Sequence, residues 1–390
     1  MTFALSYDLA RRVSWIAVGA SALALAACGG NDDASVVPPS TTSTLTAKMS
    51  GEQEPVPPAT GALGTGTLSL TLPSRALIGS IVLDGVTATM AHIHLGDIGV
   101  NGAIIVPLAE TAAGSGTWAV PAGTVLTDPQ ATAFAAGGLY FNAHSVANPG
   151  GEIRGQIGRQ VYAAQMKAAQ EVPPGPSSAT GSGLLGYDPT TKKFTAQVTL
   201  TGVAATAAHI HDGAVGVNGA VIFPLSETAA GSGVWVSATN ATLTDAQAAS
   251  LAAGGLYFNA HSSNYAGGEV RGQIARSVGY AAMTGAQEVP ANGSAASGSG
   301  RLVVDPATRG LSGAITLTGI TATMAHIHTG AVGFNGPVIV PLTDSGGGVW
   351  SVPVGTVFTA DQLKAYKQGG LYFNAHSAAF AGGEIRGQIR

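Results

Sequence analysis

One cysteine in 390 residues excludes an internal disulfide framework and a thiolate zinc site, and it leaves Cys28 needing its own explanation. Charge is scarce as well. Asp, Glu, Lys and Arg make up 10% of the chain, the formal balance is −4, and Lys and Arg form no cluster larger than the pairs Arg11-Arg12 and Lys192-Lys193. A nucleic-acid binder needs a basic stripe, so no nucleic-acid partner is expected. No Ser/His/Asp set, carboxylate pair or nucleophilic cysteine recurs along the chain, so an enzyme is the weakest functional class, with an open metal site the one route to catalysis. What the chain does have is 45% hydrophobic residues and 56 glycines, which describes folded material in more than one small domain.

Near the N-terminus, "ARRVSWIAVGASALALAAC" sets Arg11 and Arg12 before an apolar run too short to cross a bilayer as a mature helix, followed by small residues up to Cys28. Residues 1–27 read as a signal peptide. Leu25-Ala26-Ala27-Cys28 resembles the bacterial lipobox, and this resemblance implies an acylated Cys28 at the mature N-terminus and a membrane anchor made of lipid. Gly29 in place of an aspartate implies the outer membrane, with the protein facing the periplasm or the cell surface. Residues 28–45 are polar and rich in Pro, Ser and Thr, as expected of a flexible tether.

Self-comparison sets the architecture. Gln53-Glu54 returns as Gln170-Glu171 and Gln287-Glu288, each 117 residues on. "LYFNAHS" returns from Leu139 at Leu256 and Leu371, the third copy having lost two residues in the glycine-rich stretch before Trp350. A period of this length matches a complete small domain. The expected domains are 46–159, 160–276 and 277–390, with junctions so short that neighbours must touch or nearly touch. Segments such as "GTGTLSLTL" and "AQVTLTGV" are short, Val/Leu/Thr-rich and bounded by turn residues, which predicts an all-β fold: three tandem antiparallel β-sandwich or Greek-key barrel domains. Each also carries one short helix, opened by the capping-box pairs Thr127/Gln130, Thr244/Gln247 and Thr359/Gln362. Trp118, Trp235 and Trp350 are expected as core anchors.

Histidine occurs in two motifs and nowhere else. "HIH" supplies His92 and His94, His209 and His211, and His326 and His328, while "NAHS" supplies His144, His261 and His376. On a strand, residues i and i+2 share a face, so His92 and His94 project together, and the same alternation puts Tyr140, Asn142 and His144 on one face of their own strand. Three neutral imidazoles with an open position suit copper or zinc. Met90 and Met324 lie on the His face, but Ala207 stands at the second copy, so methionine is not required. The competing reading makes the histidines hydrogen-bonded structural features. In "GEIRGQI", alternation gives a polar face of Glu152, Arg154 and Gln156. Cross-strand ion pairing is the expected role, and the sharper possibility is that Glu152, Glu269 and Glu384 orient ligand histidines through the free ring nitrogen. Gln53-Glu54 has no nameable partner.

Together, "AHIH.G..G.NG", "GGLYFNAHS" and "GGE[IV]RGQI" resemble the CHRD domain, the chordin-type module, over residues 46–390. The resemblance implies an exported β-rich module and brings no catalytic residues. The cysteine-rich modules that accompany it in chordin are absent, so a growth-factor-type role is unsupported. "HIHLGD" is also similar to the copper-binding stretch of copper/zinc superoxide dismutases, although that family's remaining copper and zinc ligands and its cysteines have no counterparts. The expected function is an envelope-anchored lipoprotein whose modules sequester or buffer copper or zinc. The alternative is a non-enzymatic structural or adhesive array. Expected partners are the membrane, through the lipid, and an extracellular or periplasmic protein or surface.

Overall fold

A computed structural model describes residues 39–390; the stretch read as a signal peptide, Cys28 and the start of the stretch read as a tether lie outside them. The first module runs through β1 (Thr41–Ser50), β2 (Leu63–Leu72), β3 (Ala76–Asp84), β4 (Met90–Leu95), β5 (Ala103–Pro107), β6 (Ala109–Glu110) and β7 (Thr117–Ala119). The helix α1 (Asp128–Ala135) follows, then β8 (Leu139–His144) and β9 (Ile153–Gln156). All pairings are antiparallel, in the order β5-β4-β8-β9-β1-β2-β3-β7-β6. In the second module, one continuous strand, Ala220–Glu227, replaces β5 and β6 and closes the sheet into a barrel. The first and third modules follow the same circuit with that strand interrupted at Leu108 and Leu342.

β1 corrects one boundary. It starts inside the stretch read as tether, because Thr41–Leu45 pair in register with Leu68–Leu72. Two threonines that look tether-like are matched by hydroxyls of β2, Thr42 by Thr71 at 2.9 Å and Thr44 by Ser69 at 2.7 Å. The first four residues of β1 are all polar, so that stretch shows no apolar alternation.

Each module has its own core. In the first, Leu68, Ile81, Ile93, Leu139, Phe141 and Ile153 are completely buried, and equivalent clusters fill the second and third. The tryptophans belong to these cores. All three helices carry the expected capping box, with Thr127, Thr244 and Thr359 each accepting from the backbone of the residue three further on.

The modules touch, in keeping with the short junctions. Ile98, in the turn after β4, lies against Gly186 of the second module, and Gly216, at the equivalent turn, lies against Arg301 of the third. The third module returns to the first through Arg309, which donates to Asp84 at 2.7 Å and to the Gly61 carbonyl at 3.0 Å, and through a Lys367–Glu52 pair at 2.8 Å.

Candidate metal centre

The alternation expected for "MAHIHL" holds in β4. Ala91 and Ile93 enter the core at 1% and 0% exposure, while His92 and His94 turn to the other face. β8 runs alongside with Met90 opposite His144, His92 opposite Asn142 and His94 opposite Tyr140. His144 is thus the diagonal neighbour of His92, within reach across an antiparallel pair. A register shift between Ile93 and His94 on the β5 side re-aims the second histidine.

The three rings converge, and their free nitrogens follow from their hydrogen bonds. His94 Nδ1 donates to the Gly102 carbonyl at 2.9 Å and His144 Nδ1 to the Pro149 carbonyl at 3.0 Å, so each presents a bare Nε2. His92 turns Nδ1 toward His144 Nε2 at 3.2 Å. The donor set is therefore one Nδ1 and two Nε2. The second and third modules repeat the carbonyl bonds through His211 to Gly219, His261 to Ala266, His328 to Gly336 and His376 to Ala381. In every triad the three candidate ligand atoms lie within 4.8 Å of one another. Nitrogens about 2.0–2.1 Å from one tetrahedral ion stand roughly 3.3 Å apart, so the 3.2 Å pair already fits and the third ring has a small movement to make.

Several of these nitrogens are buried without a partner: His94 Nε2 and His328 Nε2, and in the second module His209 Nδ1, His211 Nε2 and His261 Nε2. A buried polar atom with no hydrogen bond costs about 1–3 kcal/mol. At least one such atom recurs at the same spot in each of the three modules, and in the second module all three candidate ligand nitrogens lack a partner. Burial lowers the pKa of His92, His94, His144, His209, His211, His326 and His328, with neighbouring histidines adding to the effect at several of them, so these rings favour the neutral form a metal requires.

The rings are oriented by backbone carbonyls, not by the glutamates. Glu152, Glu269 and Glu384 instead accept from Thr60, Ser177 and Ser294, each at 2.7 Å. The carbonyls are closer to hand because the turn after β4, with Gly102, and the loop after β8, with Pro149, both fold back on the histidines. Gly102 packs so tightly on Leu95 that a Cβ would overlap its carbonyl oxygen, and Gly99 has φ +72°.

"GEIRGQI" does more than pair strands. Arg154 is 1% exposed and forms no exposed cross-strand ion pair. Its guanidinium lies 3.5 Å from the centroid of the Tyr140 ring and donates to the carbonyls of Asp97 at 2.6 Å and Val100 at 3.0 Å. His94 stacks against the same tyrosine at 4.8 Å. Gln156 donates to Gly96 at 2.8 Å and Gly137 at 2.9 Å. Sequence reasoning left Gln53-Glu54 unassigned. Gln53 accepts from the Gln156 backbone at 3.2 Å, and Glu54 sits beside Arg154 and Asn142. Burial pushes the Glu54 and Glu171 carboxyls up to about 7, against the lowering pull of Arg154 and Arg271 and of the Asn142 and Asn259 amides; Glu288 is raised for the same reason. The available signal was the joint recurrence of "QE" and "GE.RGQ" in every copy.

A family model for the CHRD domain matches residues 45–157, 162–274 and 280–389. No curated protein and no solved structure matches the chain, and the local likeness of "HIHLGD" to copper/zinc superoxide dismutases is not extended by these comparisons.

Proposed function

The chain belongs to the CHRD domain family, with three tandem copies of the domain, and from that premise we propose that each copy holds one copper or zinc ion in an exported, lipid-anchored protein that sequesters or buffers the metal. One observation carries this reading: in each module three imidazole ligand nitrogens converge within 4.8 Å of one another, and at least one of them is buried without a hydrogen-bond partner. The adhesive alternative, in which the histidines serve only as structure, leaves those nitrogens unexplained. Three neutral nitrogen ligands with no thiolate leave a coordination position open and suit Cu²⁺ or Zn²⁺, with Cu²⁺ bound more tightly at a site that does not select by geometry. The anchor rests on the lipobox resemblance at Cys28. Radioactive fatty acid should label the protein, and Cys28→Ser should abolish the label and release the chain from membranes or leave it unprocessed.

Metal titration of the metal-free full chain tests the proposal. Uptake should approach three equivalents, and His209→Ala with His211→Ala should remove one and leave two, since the remaining ligands lie in separate modules. Uptake that is absent, or unchanged in the variant, refutes it.

A further inference from the structure

The contact between successive modules repeats, and its two halves are left open at the ends of the chain. The turn after β4 is the donor half. Gly99 meets Leu184 of the second module, and Gly216, 117 residues on, meets Arg301 of the third, itself 117 residues beyond Leu184. The same element therefore docks on the same face twice. The third copy of the turn docks on nothing among the described residues. Gly333 has open space around it, and Val332 and Phe334 are 58% and 70% exposed.

The receiving face is open in the first module. A cleft between the first two modules is lined by Asp97–Val100 on one side and by Ser182, Leu184, Thr195 and Thr199 on the other. The residues at the positions of Thr195 and Thr199 in the first module are Ile78 and Val82, 66% and 52% exposed. The third module has Ser312 and Thr316 there, so these two positions are apolar only in the first module, which has Thr67 at the position of Leu184. The turn behaves likewise: Phe334 stands where the two internal copies have Val100 and Val217. At Ile78, Val82 and Phe334 the open halves thus carry more apolar or larger apolar side chains than their internal equivalents, as expected of surfaces that bury apolar area on association.

We infer that the chain assembles head to tail, the Val332/Phe334 turn of one copy docking on the Ile78/Val82 face of the next. The occupant is a second copy because the contact continues one that the chain already makes twice within itself. Such an interface is heterologous, and it extends into filaments unless the rotation closes a ring. Within one chain the third module reaches the first by another route, through Arg309 and Lys367, which leaves both halves free.

Sedimentation velocity of the full chain, with and without substitutions, tests this. The average mass of the wild type should rise with concentration beyond a dimer. Ile78→Thr with Val82→Thr, which installs residues the second module already tolerates, should weaken self-association at least tenfold, as should Val332→Ser with Phe334→Ser at the exposed turn. Mixing the two variants should give a one-to-one complex that grows no further, since only one pair of intact halves remains. A wild type that stays monomeric overturns the inference. So does either variant self-associating like the wild type, or a mixture that forms no complex.

Discussion

Two polar clusters lie on opposite faces of the Tyr140 ring, His92, His94 and His144 on one side and Arg154, Glu54 and Gln156 on the other. In sequence they look alike, since both come from strands with polar residues at every second position. In space they differ in how their hydrogen-bonding capacity is used. Arg154 and Gln156 spend theirs on the carbonyls of Gly96, Asp97, Val100 and Gly137, so they pin the turn and the helix end that surround the site. The histidines spend one nitrogen each on a carbonyl at His94 and His144 and turn the other toward a shared point. A buried cluster whose arginine and glutamine donate to backbone carbonyls is scaffold, even with Glu54 Oε1 left without a partner, and one whose imidazole nitrogens converge on a shared point is a ligand site.

The largest effect should come from removing the scaffold. Arg271→Ala leaves the Ala214 carbonyl without its donor, removes the charge beside Glu171 and opens a void over Tyr257. A loss of about 3–5 kcal/mol for that module is expected, read as an early transition in calorimetry of the full chain. His209→Ala with His211→Ala should cost the metal-free chain less, because it removes two partnerless nitrogens, His209 Nδ1 and His211 Nε2, and a single hydrogen bond, from His211 Nδ1 to the Gly219 carbonyl. If both variants destabilise equally, the division into scaffold and ligand site fails.

The pH dependence should separate the clusters by sign. The Glu54 carboxyl keeps its proton in the folded chain up to about 7 and loses it near 4.5 when unfolded, so its contribution to stability is complete below 4.5 and lost as pH rises to about 7. Relative to wild type, Glu54→Gln should gain about 2–3 kcal/mol between pH 4 and pH 8. His209 and His211 run the other way. Burial lowers their folded pKa values, so stability falls as pH drops below the ordinary 6.5, and the double alanine variant should resist mild acid better than the wild type. Urea midpoints across this range decide both, and a Glu54→Gln variant that tracks the wild type at every pH would remove the carboxyl from the account.

The smallest effect belongs to the residue between the clusters. Tyr140→Phe keeps the ring that His94 and Arg154 stack on and loses only the hydroxyl that accepts from Gly102 N at 3.0 Å. A cost of about 1 kcal/mol is expected, with metal stoichiometry unchanged. A lost equivalent would mean that the hydroxyl, through Gly102, fixes His94 more tightly than the Nδ1 bond alone.

What sequence made legible was whatever short spacing determines. Alternation put His92 and His94 on one face and His144 on a polar face, and the capping boxes fixed the three helix starts. Long-range partners were not legible. Gln53 meets Gln156 across 103 residues, and nothing local marks Arg154 as buried, since a charged residue in an alternating strand reads as solvent-facing until its carbonyl acceptors are known. The orienting carbonyls of Gly102 and Pro149 were hidden for the same reason, because a carbonyl has no sequence signature.

The most direct test is anomalous diffraction from crystals of the full chain loaded with Cu²⁺ or Zn²⁺, recorded at the metal's absorption edge. The account predicts one peak per module, about 2.0–2.1 Å from the Nδ1 of His92, His209 or His326 and from the Nε2 atoms of the other two histidines of its triad. Peaks elsewhere, or triads left empty in metal-saturated crystals, would contradict it.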